Sequence, residues 1–293
     1  MSIKDHALLV SLSVGKPQMT KKDDGATAAA ENSMGAHGAG KYQKDLYPKH
    51  LIKPIVAVES AARAWMKSNC YRWGENEYLL PTTRFVKFAE GMANIEVQYN
   101  QAVTLFLQNW VNVLSEAQRT QGAMFDANEY PDVMDLRKRF RFEVDYTPIT
   151  DTSDIRVSLQ EEELKAVRES VERSTKNRME DLAREPLERL RKTIAHLRDT
   201  AAKEERAVLN PRTGRHEIRP PIFRDTVVDN IWEEMELLAD MAECLPMKTV
   251  QVIAQVRDAV PTAESLRNSQ EMRELTVVNT SNLLGTIDAM LED

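Results

Sequence analysis

Glycine is scarce in this chain: there are 10 among 293 residues, six before residue 75, with only Gly214 and Gly285 beyond Gly122. Sandwiches, barrels and doubly wound nucleotide-binding folds use glycine in tight turns and phosphate loops. The scarcity argues against all three and leaves helix as the default. Cysteine is scarcer still. Cys70 and Cys244 stand far apart, outside any CxxC or metal-ligand spacing, which argues against a disulfide framework and fits a reducing cytoplasm. The five histidines (His6, His37, His50, His196 and His216) are scattered, and none pairs with Cys, Asp or Glu at ligand spacing. HExxH, GxSxG and GxxxxGK(S/T) are all missing. The reading is therefore of a non-enzymatic protein with no catalytic residues, no metal and no cofactor.

Long apolar runs are missing too. The longest uncharged stretch, Val97 to Ser115, has 19 residues but includes Gln98, Asn100, Gln101, Gln108, Asn109 and Asn112, whose amides are costly in lipid. No membrane span is expected. Lys4 and Asp5 precede only a short apolar run, Ala7 to Val14, which is no secretory pattern, so a cytoplasmic location is expected. Positive charge is in deficit, with 39 bases against 46 acids and a net charge of −7. No dominant polyanion-binding surface follows, although a local basic patch is compatible with that balance.

What is present is a globular composition, 42% hydrophobic and 29% charged, with helical periodicity over most of its length. Residues 7–14 read as a strand. Lys16 to Lys41 has no apolar period and reads as a mobile loop, and its GAHGAG piece opens no amphipathic helix, so it is not a dinucleotide fingerprint. Leu51, Ile55, Val58, Ala62 and Trp65 mark a first helix. YRWGENEYLL (71–80) reads as a hairpin. Phe85, Phe88, Met92, Ile95, Tyr99, Ala102, Phe106, Trp110 and Val113 hold the 3/4 spacing through one long second helix.

Further along, RFRFEVDY (139–146) alternates as a strand, with Phe140, Phe142, Val144 and Tyr146 on one side. Ile155, Val157 and Leu159 suit a returning strand. Ser158 to Glu161 has the form of a capping box, opening a third helix to about Leu209 with a kink near Arg184 imposed by Pro186. A fourth helix carries Val228, Ile231, Met235, Leu238, Ala242 and Leu245, and two more span 247–259 and 263–291. The expected fold is mainly α: an elongated antiparallel helical bundle or coiled-coil hairpin with a small antiparallel β-sheet. It divides into an N-terminal α+β part (1–157) and a long helical hairpin with C-terminal helices (158–293).

Three features carry functional content. Arg137-Lys138-Arg139-Phe140-Arg141-Phe142 interleaves cations with aromatics, an arrangement that on a strand grips phosphates while rings stack on unpaired bases. The bland alternative turns both rings into the core and leaves the arginines on a sheet edge. The excursion around Gly214 adds Arg212, Arg215, Arg219 and Arg224 against Glu217 alone, a basic tip for nucleic acid or an acidic partner, or simply an exposed loop. The chargeless stretch 97–115, with Gln98, Gln101, Asn109 and Asn112, suits either an oligomer interface or a central helix buried on both sides within one chain. Glu161-Glu162-Glu163 and Glu233-Glu234 read as solvated helix faces rather than metal-binding acids.

LLVSLSVGKPQMTKKD (8–23), PDVMDLRKRFRFEVDYTPI (131–149) and FRDTVVDNI (223–231) resemble an uncharacterised family of phage and conjugative-element proteins. Its members are often encoded beside a MoxR-like AAA+ ATPase, a von Willebrand factor A-type protein and recombination genes. The family's tryptophan in the first motif is replaced here near Val14-Gly15. The family has no agreed catalytic residues, so none carries over. The resemblance implies a mobile-element context, the cytoplasm of a host cell, and an AAA+ ATPase or von Willebrand factor A-type protein as partner. The sequence thus supports a homo-oligomeric or partner-docking helical protein, with a single-stranded DNA-binding, recombination-associated factor as the alternative.

Overall fold

The structure, a computed structural model, describes residues 3–149, 161–203, 206–209, 216–219, 223–242, 245 and 247–292. In chain order the elements are β1 (Ala7–Gly15), β2 (Thr20–Lys22), α1 (Asp24–Met34), β3 (Gln43–Asp45), α2 (Lys49–Asn69), β4 (Tyr71–Arg72), β5 (Glu77–Pro81), α3 (Phe85–Gln108), α4 (Trp110–Gln121), α5 (Val133–Arg139) and β6 (Arg141–Thr147). Then follow α6 (Glu161–Ala201), β7 (Arg206–Leu209), β8 (His216–Arg219), α7 (Asp225–Asp240), α8 (Met247–Ala259), α9 (Ala263–Asn268) and α10 (Gln270–Glu292). The protein is mainly helical with a small antiparallel sheet component. No described helix is long and apolar enough to cross a membrane. Two compact units share the chain: Met1–Val10 with Lys67–Phe85 and Tyr146–Asp293, and Ser11–Met66 with Val86–Asp145. The expected division at 157/158 falls outside the described residues.

In the first unit, β4 and β5 form the expected hairpin, antiparallel with Tyr71 opposite Leu79 and Arg72 opposite Tyr78. The polar turn closes as the Trp73 and Gly74 N–H groups donate to the Glu77 carbonyl. The core gathers Leu187, Leu190, Ile194 and Leu197 from α6, Ile231, Met235 and Leu238 from α7, and Leu283, Leu284 and Ile287 from α10. Each such side chain contributes roughly 1.5–3 kcal/mol on leaving water. These α6 residues, spaced 3 and 4 apart, are therefore core. The partner that α6 packs on most extensively is α10, with α7 second. The α6–α10 pair is antiparallel: Leu187 lies with Met290 and Leu291, Arg191 bonds Asp288, and Ala201 to Lys203 flank Gln270 and Arg273.

Several sequence expectations are corrected here. The third helix ends at Ala201, not Leu209, because residues 206–209 pair with 216–219 as the hairpin β7–β8. The last helical stretch is two helices, α9 and α10, separated at Ser269. The fourth helix stops at Asp240, and Leu245 is buried beyond it. Pro186 lies inside α6. The returning strand at 155–159 and the capping serine, Ser158, lie outside the described residues.

The second unit corrects the largest one. Lys16 to Lys41 is not a structureless loop: β2 pairs with β3, and α1 lies in the connection between them. Asp23 caps α1 by accepting from the Ala26 N–H at 2.8 Å, and the chain leaves the helix at Gly35. No α1 residue is buried, so this helix rests on its cap and its alanines rather than on an apolar face. The cap is tied inward. Lys44, 4% exposed, sits 2.8 Å from Glu129 and 3.5 Å from Asp23. Burial alone would lower the Lys44 pKa, but the two carboxylates outweigh it and raise the value.

In the four-stranded sheet the order is β4-β5-β1-β6. The first residues of β1 belong to the first unit with β4 and β5, and its later residues to the second unit with most of β6.

Candidate functional site

The second unit contains two of the three features singled out by sequence, 97–115 and 137–142. Its core is aromatic: Tyr47, Phe106, Trp110 and Phe140 cluster, with the Phe106 ring edge-on to those of Tyr47 and Phe140. Along α3 the buried residues are Phe88, Met92, Tyr99, Val103 and Phe106, and along α4 they are Trp110, Val113, Ala117 and Gln121. These follow the expected stripe, but the helix is interrupted at Asn109, so the single long helix is corrected to two.

The opposite side of α3 is open. At 100° per residue, Ala93, Val97, Gln101, Thr104, Leu105 and Gln108 share one face, and all six are exposed. Val97 is 55% exposed, Leu105 66%, and Val111 on α4 77%. Gln98 lies at the edge of that face, exposed, and Asn112 is exposed on α4. Asn109, half-buried at the interruption, accepts a hydrogen bond from the Asn112 amide. The alternative of a central helix buried on both sides is therefore overturned. One side packs, and the other faces outward without a charge for about 22 Å of helix.

The second surface is a cationic corner. Arg137, Lys138 and Arg139 stand in the last turn of α5, not on a strand, and only Arg141 belongs to β6. This corrects the interleaved-strand reading, and the rings correct it further. Phe140 is 3% exposed, and Phe142 is half-buried with its ring 5.4 Å from that of Tyr99. Neither is free to stack on a base. The cations, by contrast, are exposed. Arg137 donates to the Phe140 carbonyl and to Asn100, which suits a cation at a helix C-terminus. Lys138 pairs with Asp135 at 2.8 Å, which raises its pKa and lowers that of the acid. Arg139 and Arg141 have no ion-pair partner among the described residues. A groove beside them is lined by Gly15, Lys16, Pro17, Gln18, Lys138, Arg139 and Arg141. A Cβ on Gly15 would stand 3.1 Å from Arg141 Nε and 3.0 Å from the Arg139 carbonyl, so glycine lets this corner close against the end of β1.

The basic excursion is not assembled with this corner by anything described. Arg212 and Arg215 lie outside the described residues, Arg219 ends β8, and Arg224 is exposed at the N-cap of α7 without a capping side-chain bond.

Sequence reading missed a polar hub in the first unit. Arg189 donates to the Lys67 and Cys70 carbonyls at 2.6 and 3.1 Å and to Glu234 at 2.8 Å, with its guanidinium 5.5 Å from the Tyr71 ring centre. One turn earlier, Glu185 accepts from the Arg72 N–H at 2.7 Å. Burial raises the Glu185 pKa despite the Arg72 hydrogen bond and the Arg189 charge. The only signal in the sequence was two charged residues four apart on α6, which every solvated helix face also shows. Arg189 is saturated by its partners, so the hub braces β4 rather than offering a reactive group. Burial also pushes the Cys70 thiol far up, the opposite of an activated nucleophile.

Among the described residues no group of three or more His, Cys, Asp or Glu side chains is placed to hold a metal ion. No family model, no curated protein and no solved structure matches the chain.

Proposed function

We propose that the protein is a non-enzymatic, self-associating helical protein, and that the outward face of α3 is where a second copy docks. One observation carries the reading: an exposed helix face, free of charge from Val97 to Ser115 in a chain that is 29% charged, with Val97 and Leu105 open to solvent. Interface centres are depleted in charge in this way. The occupant is argued from charge and chemistry. Two copies of a chain with net charge −7 repel, and this face brings no like charges together. Its Gln side chains each carry both donor and acceptor, so a copy of the face complements itself across a two-fold axis. An AAA+ ATPase or von Willebrand factor A-type partner in a mobile-element setting belongs to the same docking class, and rests on the resemblance of 8–23, 131–149 and 223–231 alone.

The test is oligomeric state. Light scattering over a micromolar concentration series should give a mass above one chain, and Leu105→Glu should return it to one chain with unchanged helicity. A wild-type monomer at high micromolar concentration ends the reading.

A further inference from the structure

We infer that the groove at the α5–β6 corner binds the phosphodiester backbone of nucleic acid without reading its bases. This goes beyond self-association and does not depend on it. The groove lining holds Lys16, Lys138, Arg139 and Arg141 and not one carboxylate, in a chain where acids outnumber bases 46 to 39. Such local segregation of charge is the electrostatic footprint of a polyanion site. Lys16 and Lys138 are partly offset by Glu59 and Asp135, so they contribute less than the two arginines. Of the groove's four cations, Arg139 and Arg141 have no ion-pair partner among the described residues. Their planar guanidinium forks match two phosphate oxygens at once, which a lysine cannot do.

The aromatic residues decide what kind of contact this is. Stacking sites for unpaired bases need rings presented to solvent, whereas Phe140 packs edge-on to Phe106 and Phe142 lies against Tyr99. The corner therefore offers charge and forked donors but no base platform. The backbone of a duplex, with its higher charge density, is bound at least as tightly as a single strand.

The experiment uses the full chain and fluorescein-labelled single-stranded and duplex oligonucleotides, read by anisotropy at about 50 mM salt and above. Both should bind, with affinity falling steeply as salt rises. Arg139→Gln with Arg141→Gln should weaken binding at least about tenfold and flatten the log–log salt slope by about two, with helicity and Tm unchanged. Should that pair disturb the fold, Lys16→Gln with Lys138→Gln is the second variant and should weaken binding in the same direction. Lys165→Gln with Arg168→Gln, exposed cations on α6, should leave affinity unchanged. A flat wild-type titration, equal loss in the α6 control, or a full effect without Arg139 and Arg141 would overturn the assignment. So would a marked preference for the single strand, and so would displacement by polyglutamate at matched charge, which would point to an acidic protein instead.

Discussion

The Trp65 indole lies directly over Gly91: a Cβ at position 91 would stand 2.4 Å from the ring, whose Nε1 donates to the Phe88 carbonyl at 3.2 Å. Here α2 and α3 come as close as backbone and ring allow, and only the missing side chain at 91 permits it. Gly91→Ala forces the ring away and should destabilise the protein by about 1–3 kcal/mol, the usual cost of overpacking, read as a fall in Tm. Trp65→Leu in the same chain should recover part of that loss, because the two changes share one contact.

Phe140 and Phe142 separate core from surface at the cationic corner. Phe140→Ala should cost about 3–5 kcal/mol, as for a fully buried ring, and Phe142→Ala less, since its ring is half-buried. Denaturant titrations give both values. Oligonucleotide affinity of the folded Phe142→Ala protein should match wild type.

Lys44→Met leaves Glu129 and Asp23 facing each other without their shared cation. Glu129 keeps Lys21 at 3.3 Å, so the loss in Tm should correspond to less than the roughly 3–5 kcal/mol of a buried charge left wholly uncompensated. Lys44→Met with Glu129→Gln should be more stable than Lys44→Met alone, measured by thermal unfolding.

Glu185 gives a pH signature. Its pKa is higher folded than unfolded, so the proton it holds contributes stability below the unfolded value and is lost as pH rises through the folded value. Glu185→Gln keeps an acceptor for the Arg72 N–H and removes the ionisation. The variant's Tm relative to wild type should therefore improve between pH 4 and pH 7, and a constant difference across that range would contradict it.

What was legible in the sequence follows from how local each cause is. The 71–80 hairpin was readable because its turn and strands lie within ten residues. The α3 stripe was readable because one buried side imposes its period. Helix α1 was not, since it buries nothing and leaves no apolar period to find; its signal was Asp23 before an alanine run. The strand expected over 139–146 from the alternation of Phe140, Phe142, Val144 and Tyr146 begins only at Arg141, because the Asp132 cap and Leu136 carry α5 through Arg139. The Arg189 hub was invisible because its acceptors, the Lys67 and Cys70 carbonyls, lie more than a hundred positions away.

The interleaving of the two units sets an order for events on the ribosome. Residues 11–66 and 86–145, the whole of the second unit, are synthesised before α6 begins. That unit can close its aromatic core during synthesis. The β4–β5 hairpin emerges between its two halves but waits for Leu187 to Ile287 before Tyr71 and Leu79 are covered. For that interval a nascent chain exposes an apolar hairpin, and it is the segment on which a chaperone would act.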